Sequence, residues 1–320
     1  MASPRVYVAG HRGLVGSALV RELGARGFHD LLLRTRNELD LRDQLAVDSF
    51  FRESRPDIIF LAAAKVGGIQ ANNTSRWEFL YENLQIQNNI LGNALAHDIK
   101  QVAFFGSSCI YPKLADQPIR EEYLLTGPLE PTNEPYAIAK IAGLKLVEAA
   151  NREYGHRWLS LMPTNLYGPF DNFDLMGAHV LPAMIRKFHE AKERKLAGNT
   201  DPVLLWGTGN AFREFLHVDD LARAACDLLM SGESGLFNIG SGEELSISAL
   251  SSRVASAVGY DGAVVWDSTK PDGTPRKLLD SSKIRATGWA PRIDLDTGLR
   301  TTYRWYLENM ATVQKKPVEA

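Results

Sequence analysis

The turn Gly10-His-Arg-Gly13-Leu-Val-Gly16 constrains this chain more than any other stretch of it. It follows the apolar run Arg5-Val-Tyr-Val-Ala9 and opens a segment, Leu14 to Gly24, whose residues Leu14, Val15, Ala18, Leu19 and Leu23 recur at the helical period. A strand, a glycine turn and a helix in that order leave room for a pyrophosphate. Backbone N–H groups and the positive end of the helix dipole converge there, and side chains would block the approach. Gly10, Gly13, Leu14, Val15 and Gly16 are therefore the expected cradle of a dinucleotide.

The next strand reads Leu31-Leu-Leu33 and runs into Arg34-Thr-Arg36, with no Asp or Glu where an NAD-binding chain holds the ribose 2′-hydroxyl. A guanidinium fork suits a 2′-phosphate instead. Arg34, Arg36 and Arg12, which lies inside the glycine turn, thus favour NADP(H) over NAD.

Tyr136 and Lys140 stand four apart in Glu134 to Tyr154, a segment of strong helical periodicity, so they share one face about one turn apart. An ammonium beside a phenol favours the phenolate, so Lys140 is expected to lower the Tyr136 pKa. Carbonyl reduction needs a hydride and a proton, and Tyr136 would supply the proton. Ser107, after the apolar strand Gln101-Val-Ala-Phe-Phe105, is placed to bond the carbonyl oxygen as charge develops on it.

With this glycine turn, serine and Tyr/Lys pair, the chain resembles the extended short-chain dehydrogenase/reductases. Three further stretches narrow the resemblance: Ala62-Ala-Ala-Lys-Val-Gly-Gly-Ile69, Gly106-Ser-Ser-Cys-Ile-Tyr-Pro112, and Asn165-Leu-Tyr-Gly-Pro169 followed by His179. Together with Lys270-Pro-Asp-Gly-Thr-Pro-Arg-Lys277 they extend the likeness over essentially the whole chain. The similar members are bifunctional, which implies 3,5-epimerisation and NADPH-dependent 4-keto reduction of GDP-4-keto-6-deoxy-D-mannose to GDP-L-fucose. The resemblance implies Cys109 and His179 as the acid/base pair of the epimerisations, with the direction of transfer open, since both residue types titrate near neutrality when perturbed. It also implies that Asp40, Leu41, Ala63, Pro163, Asn165, Leu166, His179 and Lys140 line the cofactor.

A substrate diphosphate needs cations, for which Arg186, Lys187 and Arg213 are candidates. Trp206 is expected to stack on a base or sugar, Asp272 to accept from a guanine or ribose, and Asn165 to contact substrate. The family commonly has a second Arg where this chain has Lys187, and lysine keeps the charge but loses the bidentate fork. A nucleotide-sugar 4,6-dehydratase or 4-epimerase would share fold, glycines and triad, but a dehydratase typically carries Asp-Glu where this chain has Cys109-Ile110. A non-catalytic NADP-sensing protein would be expected to lack the Tyr and Lys.

Lys and Arg number 36 and Asp and Glu 38, for a net charge of −2. No global field recruits nucleic acid or an anionic membrane. Two cysteines, Cys109 and Cys226, give neither a disulfide framework nor a metal cluster, and Cys226 reads as core. No signal peptide and no long apolar run are evident, so a cytoplasmic enzyme is expected; a homodimer is expected as well, although the sequence does not fix the oligomeric state. Strand-like Arg5–Ala9, Asp57–Ala62, Gln101–Phe105 and Trp158–Met162 alternate with helical Trp77–Ala96 and Glu134–Tyr154. That alternation predicts an α/β fold: a Rossmann-type doubly wound parallel sheet with a smaller α/β substrate-binding domain. The expected division is 1–165 with 213–241 for the NADP-binding domain and 166–212 with 242–320 for the substrate-binding domain. The pattern loosens after Asn165, and the tail after Met310 reads as frayed.

Overall fold

A computed structural model describes residues 3–175, 177–270 and 272–313. In its first half, β1 (Val6–Ala9), α1 (Leu14–Ala25), β2 (Leu31–Leu32), α2 (Gln44–Ser54) and β3 (Ile58–Leu61) lead into α3 (Ile69–Thr74), α4 (Arg76–Ala96), β4 (Gln101–Phe105), α5 (Glu134–Tyr154) and β5 (Leu159–Pro163). Then come β6 (Asn165–Tyr167), α6 (Val180–Leu196), β7 (Val203–Trp206), β8 (Phe212–His217), α7 (Val218–Met230) and β9 (Gly235–Ile239). The chain closes with β10 (Glu244–Ser246), α8 (Ile247–Val258), β11 (Val264–Asp267), β12 (Arg276–Lys277), α9 (Ser282–Arg285) and α10 (Leu295–Val313).

Strands β2-β1-β3-β4-β5-β9 form one sheet in that order, every pairing parallel. Their near-continuous apolar sequences suit burial on both faces, as parallel sheets require. Leu19 and Leu23 of α1 and Leu221, Ala225 and Leu229 of α7 cover one face; Phe51 of α2, Ile90 of α4 and Leu144 and Val147 of α5 cover the other. The chain steps from β1 outward to β2, then crosses to β3 on the other side of β1. The carboxyl ends of β1 and β3 therefore flank the switch point where open α/β sheets bind ligands.

After Asn165 the chain is more regular than its sequence suggests. Strands β10, β8 and β12, with β6 joined to β8, make a small mixed sheet, and β7 pairs with β11. With two to six residues each, these strands are too short to print a period. A third core gathers Phe173, Leu181, Ile185, Phe188, Leu205, Leu250, Val254, Leu299 and Tyr306 beneath them. The tail expected to fray after Met310 stays helical to Val313, and residues 314–320 lie outside the described residues. Among the described residues, no helix is long and apolar enough to cross a membrane.

Candidate active site

The glycine turn closes on its own helix. A Cβ on Gly16 would lie 2.0 Å from the Gly10 carbonyl oxygen, and one on Gly10, at φ 82°, would lie 2.7 Å from the Ala63 backbone nitrogen. Only glycines permit this packing at the switch point. Gly13 begins α1 without a side-chain cap, and the first-turn amides of a helix have no intrahelical partner. Leu14, Val15 and Gly16 thus offer N–H groups at a helix N-terminus, a setting that fits a dinucleotide pyrophosphate.

Arg12, Arg34 and Arg36 are exposed at the same edge, and the Arg34 guanidinium lies 5.6 Å from the Phe50 ring centroid. Glu38 is held in the same loop: its carboxylate accepts from the Thr35 backbone N–H and hydroxyl, both at 2.7 Å, and feels the charges of Arg34 and His11. Asp40 accepts from Arg42 at 2.7 Å, which holds its carboxyl below the usual range. Arg42 also meets Glu82 at 3.3 Å, and Glu82 pairs with Lys65 at 3.1 Å. Asn89 donates to the Leu41 carbonyl at 2.8 Å. This network ties the loop after β2 to α4 and to the loop after β3.

Gly106 follows β4 against Met162, whose Cε and Sδ would lie 2.2 and 2.3 Å from any Cβ there. Ser107 follows, its Oγ accepting from the Cys109 N–H at 3.2 Å and lying beside the Tyr136 phenol. Lys140 is 3% exposed; its Nζ donates to the Phe105 carbonyl at 2.8 Å and lies 5.8 Å from the Tyr136 ring centroid.

The expected lowering of the phenol pKa by Lys140 is corrected by this arrangement. Burial, and secondarily the charge of Cys109, raise the Tyr136 pKa, and the Ser107 hydrogen bond offsets this only in part. Burial brings Lys140 itself down to about 7. The amine addresses a carbonyl oxygen rather than the phenol, so desolvation outweighs attraction. Tyr136 accordingly keeps its proton at neutral pH, the form a proton donor needs.

Cys109 is half-buried in the turn after Ser107. Asn133 Nδ2 donates to its Sγ at 3.2 Å, and Lys277 Nζ reaches the same sulfur at 3.5 Å. His179 caps α6 by backbone alone and is open to solvent. Although its edge meets solvent, desolvation of the ring by the protein around it, then the Lys277 charge, lower its imidazole pKa. Lys277 is thus the common neighbour of both expected acid/base residues. The loop leading to His179 is clasped from the cofactor side: the Gly68 N–H donates to the Gly177 carbonyl at 3.0 Å, and a Cβ on Gly68 would lie 2.8 Å from the Ala178 oxygen.

The expected substrate residues line a neighbouring stretch of β7 and β8. Trp206, 53% exposed, has Lys187 and Lys270 ammonium groups 5.8 and 5.5 Å from its ring. Lys187 donates to the Leu204 carbonyl at 2.9 Å, and burial lowers its pKa. Arg213 bridges the two groups, feeling both Asp272 and Cys109. Both Asp272 oxygens accept from Thr208, at 2.7 Å each, so this carboxylate anchors the turn after Trp206. Arg186 is engaged by Glu190 at 2.7 Å and the Phe173 carbonyl at 3.2 Å. Asn165 donates to the Glu214 carbonyl at 2.8 Å beside Pro163 and Leu166.

Sequence motifs missed Asn133, Lys277 and the contact of Gly68 with Gly177. Lys277 was within a quoted stretch, but its pairing with β8 spans too much chain for spacing to reveal.

Comparisons agree with this architecture. A GDP-L-fucose synthase 1 of Arabidopsis thaliana is 55% identical over 310 residues, covering 96% of this chain and 94% of its own. The GDP-L-fucose synthase of Escherichia coli (strain K12) is 52% identical over 319 residues, covering 97% and 98%. A crystal structure of a GDP-L-fucose synthetase from Naegleria fowleri bound to NADP superposes with a TM-score of 0.87 at 27% identity, over 98% of this chain and 97% of that one. Residues 6–240 match the model of the NAD dependent epimerase/dehydratase family, and the chain belongs to that family.

Proposed function

We propose that this chain converts GDP-4-keto-6-deoxy-D-mannose to GDP-L-fucose, epimerising C3 and C5 and then reducing the C4 ketone with NADPH. One observation carries the reading: Ser107 Oγ accepts from the Cys109 backbone N–H at 3.2 Å and lies beside the Tyr136 phenol, so the reduction site and the cysteine share one turn. The relatives named GDP-L-fucose synthase and the NADP-bound neighbour support it.

NADPH supplies the hydride when bound, held by Gly10, Arg12, Gly13, Leu14, Val15 and Gly16, with Arg36 toward the 2′-phosphate. Ser107 and Tyr136 hold the C4 carbonyl oxygen, which acidifies the hydrogens at C3 and C5. Cys109 and His179 then move protons at those carbons. Tyr136, protonated at neutral pH, gives its proton to the C4 oxygen during reduction. Lys140, held by the Phe105 carbonyl one helical turn from Tyr136, would bond the nicotinamide ribose. Lys187, Trp206, Arg213, Asp272 and Asn165 serve the GDP moiety. The division into 1–165 with 213–241 and 166–212 with 242–320 assigns cofactor to the first part and substrate to the second. A homodimer would cover the exposed Trp77, Tyr81, Ile138 and Leu146 on α4 and α5, and the enzyme is placed in the cytoplasm.

The test is incubation with GDP-4-keto-6-deoxy-D-mannose and NADPH, followed by identification of the sugar by NMR. GDP-L-fucose is expected; a reduced but unepimerised sugar, or no NADPH oxidation, would overturn the reading.

A further inference from the structure

Nothing in the reaction so far uses Lys277, yet its surroundings are built to aim it. It sits opposite Arg213 on β12. The chain just beyond is fixed from two sides: the Leu278 N–H donates to Gln117 at 2.8 Å, and the Leu279 N–H to the fully buried Glu214 at 3.1 Å. From this anchored backbone the half-buried side chain carries its ammonium to 3.5 Å from Cys109 Sγ. Among the described residues, no carboxylate forms an ion pair with Lys277. Asn133 brings a second donor to the same sulfur at 3.2 Å. The charged or titratable groups facing Cys109 are Lys277 from β12, Arg213 from β8 and Tyr136 from α5. The two side-chain donors at this sulfur are the Lys277 ammonium and the Asn133 amide; a thiol sulfur is a weak acceptor, and a charged donor is the stronger partner for an anion.

Building on the epimerase reading, we infer that Lys277 is a positioning residue of the epimerisation step. Its ammonium holds Cys109 Sγ toward the substrate and stabilises the thiolate whenever the sulfur is without its proton. When sulfur takes a proton from carbon, the S–H bond forms, the C–H bond breaks, and the electron pair passes toward C4, leaving the charge on the ketone oxygen. When sulfur returns a proton, the same bonds change in reverse. One end of the cycle is a thiolate in either direction, and Lys277 stabilises that end.

The test compares Lys277→Met, Lys277→Arg and the unmutated protein. Solvent deuterium exchange into GDP-4-keto-6-deoxy-D-mannose without NADPH is followed against pH. Exchange at pH 7 in Lys277→Met should fall roughly ten- to a hundredfold, the rising limb of its pH profile should move upward, and Lys277→Arg should restore most of the rate at the original pH. In a Cys109→Ser background Lys277→Met should change nothing further, because the two act together. A uniform loss with an unmoved limb, or undiminished exchange, would overturn the inference. Alkylation of Cys109 by iodoacetamide, mapped by mass spectrometry to separate it from Cys226, repeats the comparison without substrate. Should the unmutated protein exchange nothing, the epimerase reading fails, and the alkylation limb still decides whether Lys277 acts on the sulfur. Lys277→Gln replaces Lys277→Met if that variant does not fold.

Discussion

Replacing Lys140 by Met should make this protein more stable and less active. Lys140 is 3% exposed, and burial brings its pKa from the ordinary 10.5 to about 7. One pH unit is worth about 1.4 kcal/mol, so the buried amine costs about 5 kcal/mol at pH 7. Methionine keeps the length of the side chain and removes that cost, while the lost hydrogen bond to the Phe105 carbonyl takes back ~1–2 kcal/mol. The variant should therefore exceed the unmutated protein by about 3 kcal/mol at pH 7.

The sign with pH follows from linkage. Between pH 7 and 10.5 the unfolded chain binds the Lys140 proton and the folded chain does not, so the unmutated protein gains stability as pH rises, and the variant lacks this gain. By pH 10 the two should be about equal. Urea unfolding of both proteins at pH 7 and pH 10 reads this directly, and NADPH oxidation should be damaged at either pH. A variant less stable at pH 7, or a stability difference that does not change with pH, would refute the argument that burial governs Lys140.

Arg36→Ala should weaken NADPH binding more than NADH binding, by roughly ten- to a hundredfold, since a charge-assisted contact to phosphate is worth ~1.5–3 kcal/mol; equal affinity of the unmutated protein for both cofactors, read by fluorescence titration, would contradict the assignment. Gly68→Ala forces a methyl group to within 2.8 Å of the Ala178 oxygen, just before His179. It should cost ~1–3 kcal/mol as an overpacked contact and slow deuterium exchange more than NADPH oxidation. Equal loss of the two activities would show that the clasp does not serve His179.

The parallel sheet was legible because β1, β3, β4 and β5 are apolar runs separated by strongly periodic helices, and their limits fall within a residue of those read from sequence. The glycine turn was legible because Gly10 and Gly16 each fill a place no side chain could enter. The protonation states were not. Tyr136 and Lys140 share a helix face, but which one the surroundings perturb depends on Phe105, Cys109 and Ser107, brought there from another strand end. The sulfur's partners were hidden for the same reason, since Asn133 and Lys277 reach Cys109 from 24 and 168 residues away.

Two chemistries sharing one pocket is the central claim, and deuterium exchange measured beside NADPH oxidation tests it most directly. Tyr136→Phe removes the proton donor and keeps the ring, so oxidation should slow by roughly 10²-fold or more while exchange from solvent at C3 and C5 continues. Cys109→Ser keeps the shape but replaces the thiol by a hydroxyl that does not ionise near neutrality, so exchange should collapse while some oxidation remains and yields an unepimerised sugar. Exchange undiminished in Cys109→Ser and in His179→Gln, or lost together with oxidation in Tyr136→Phe, would contradict the division of labour.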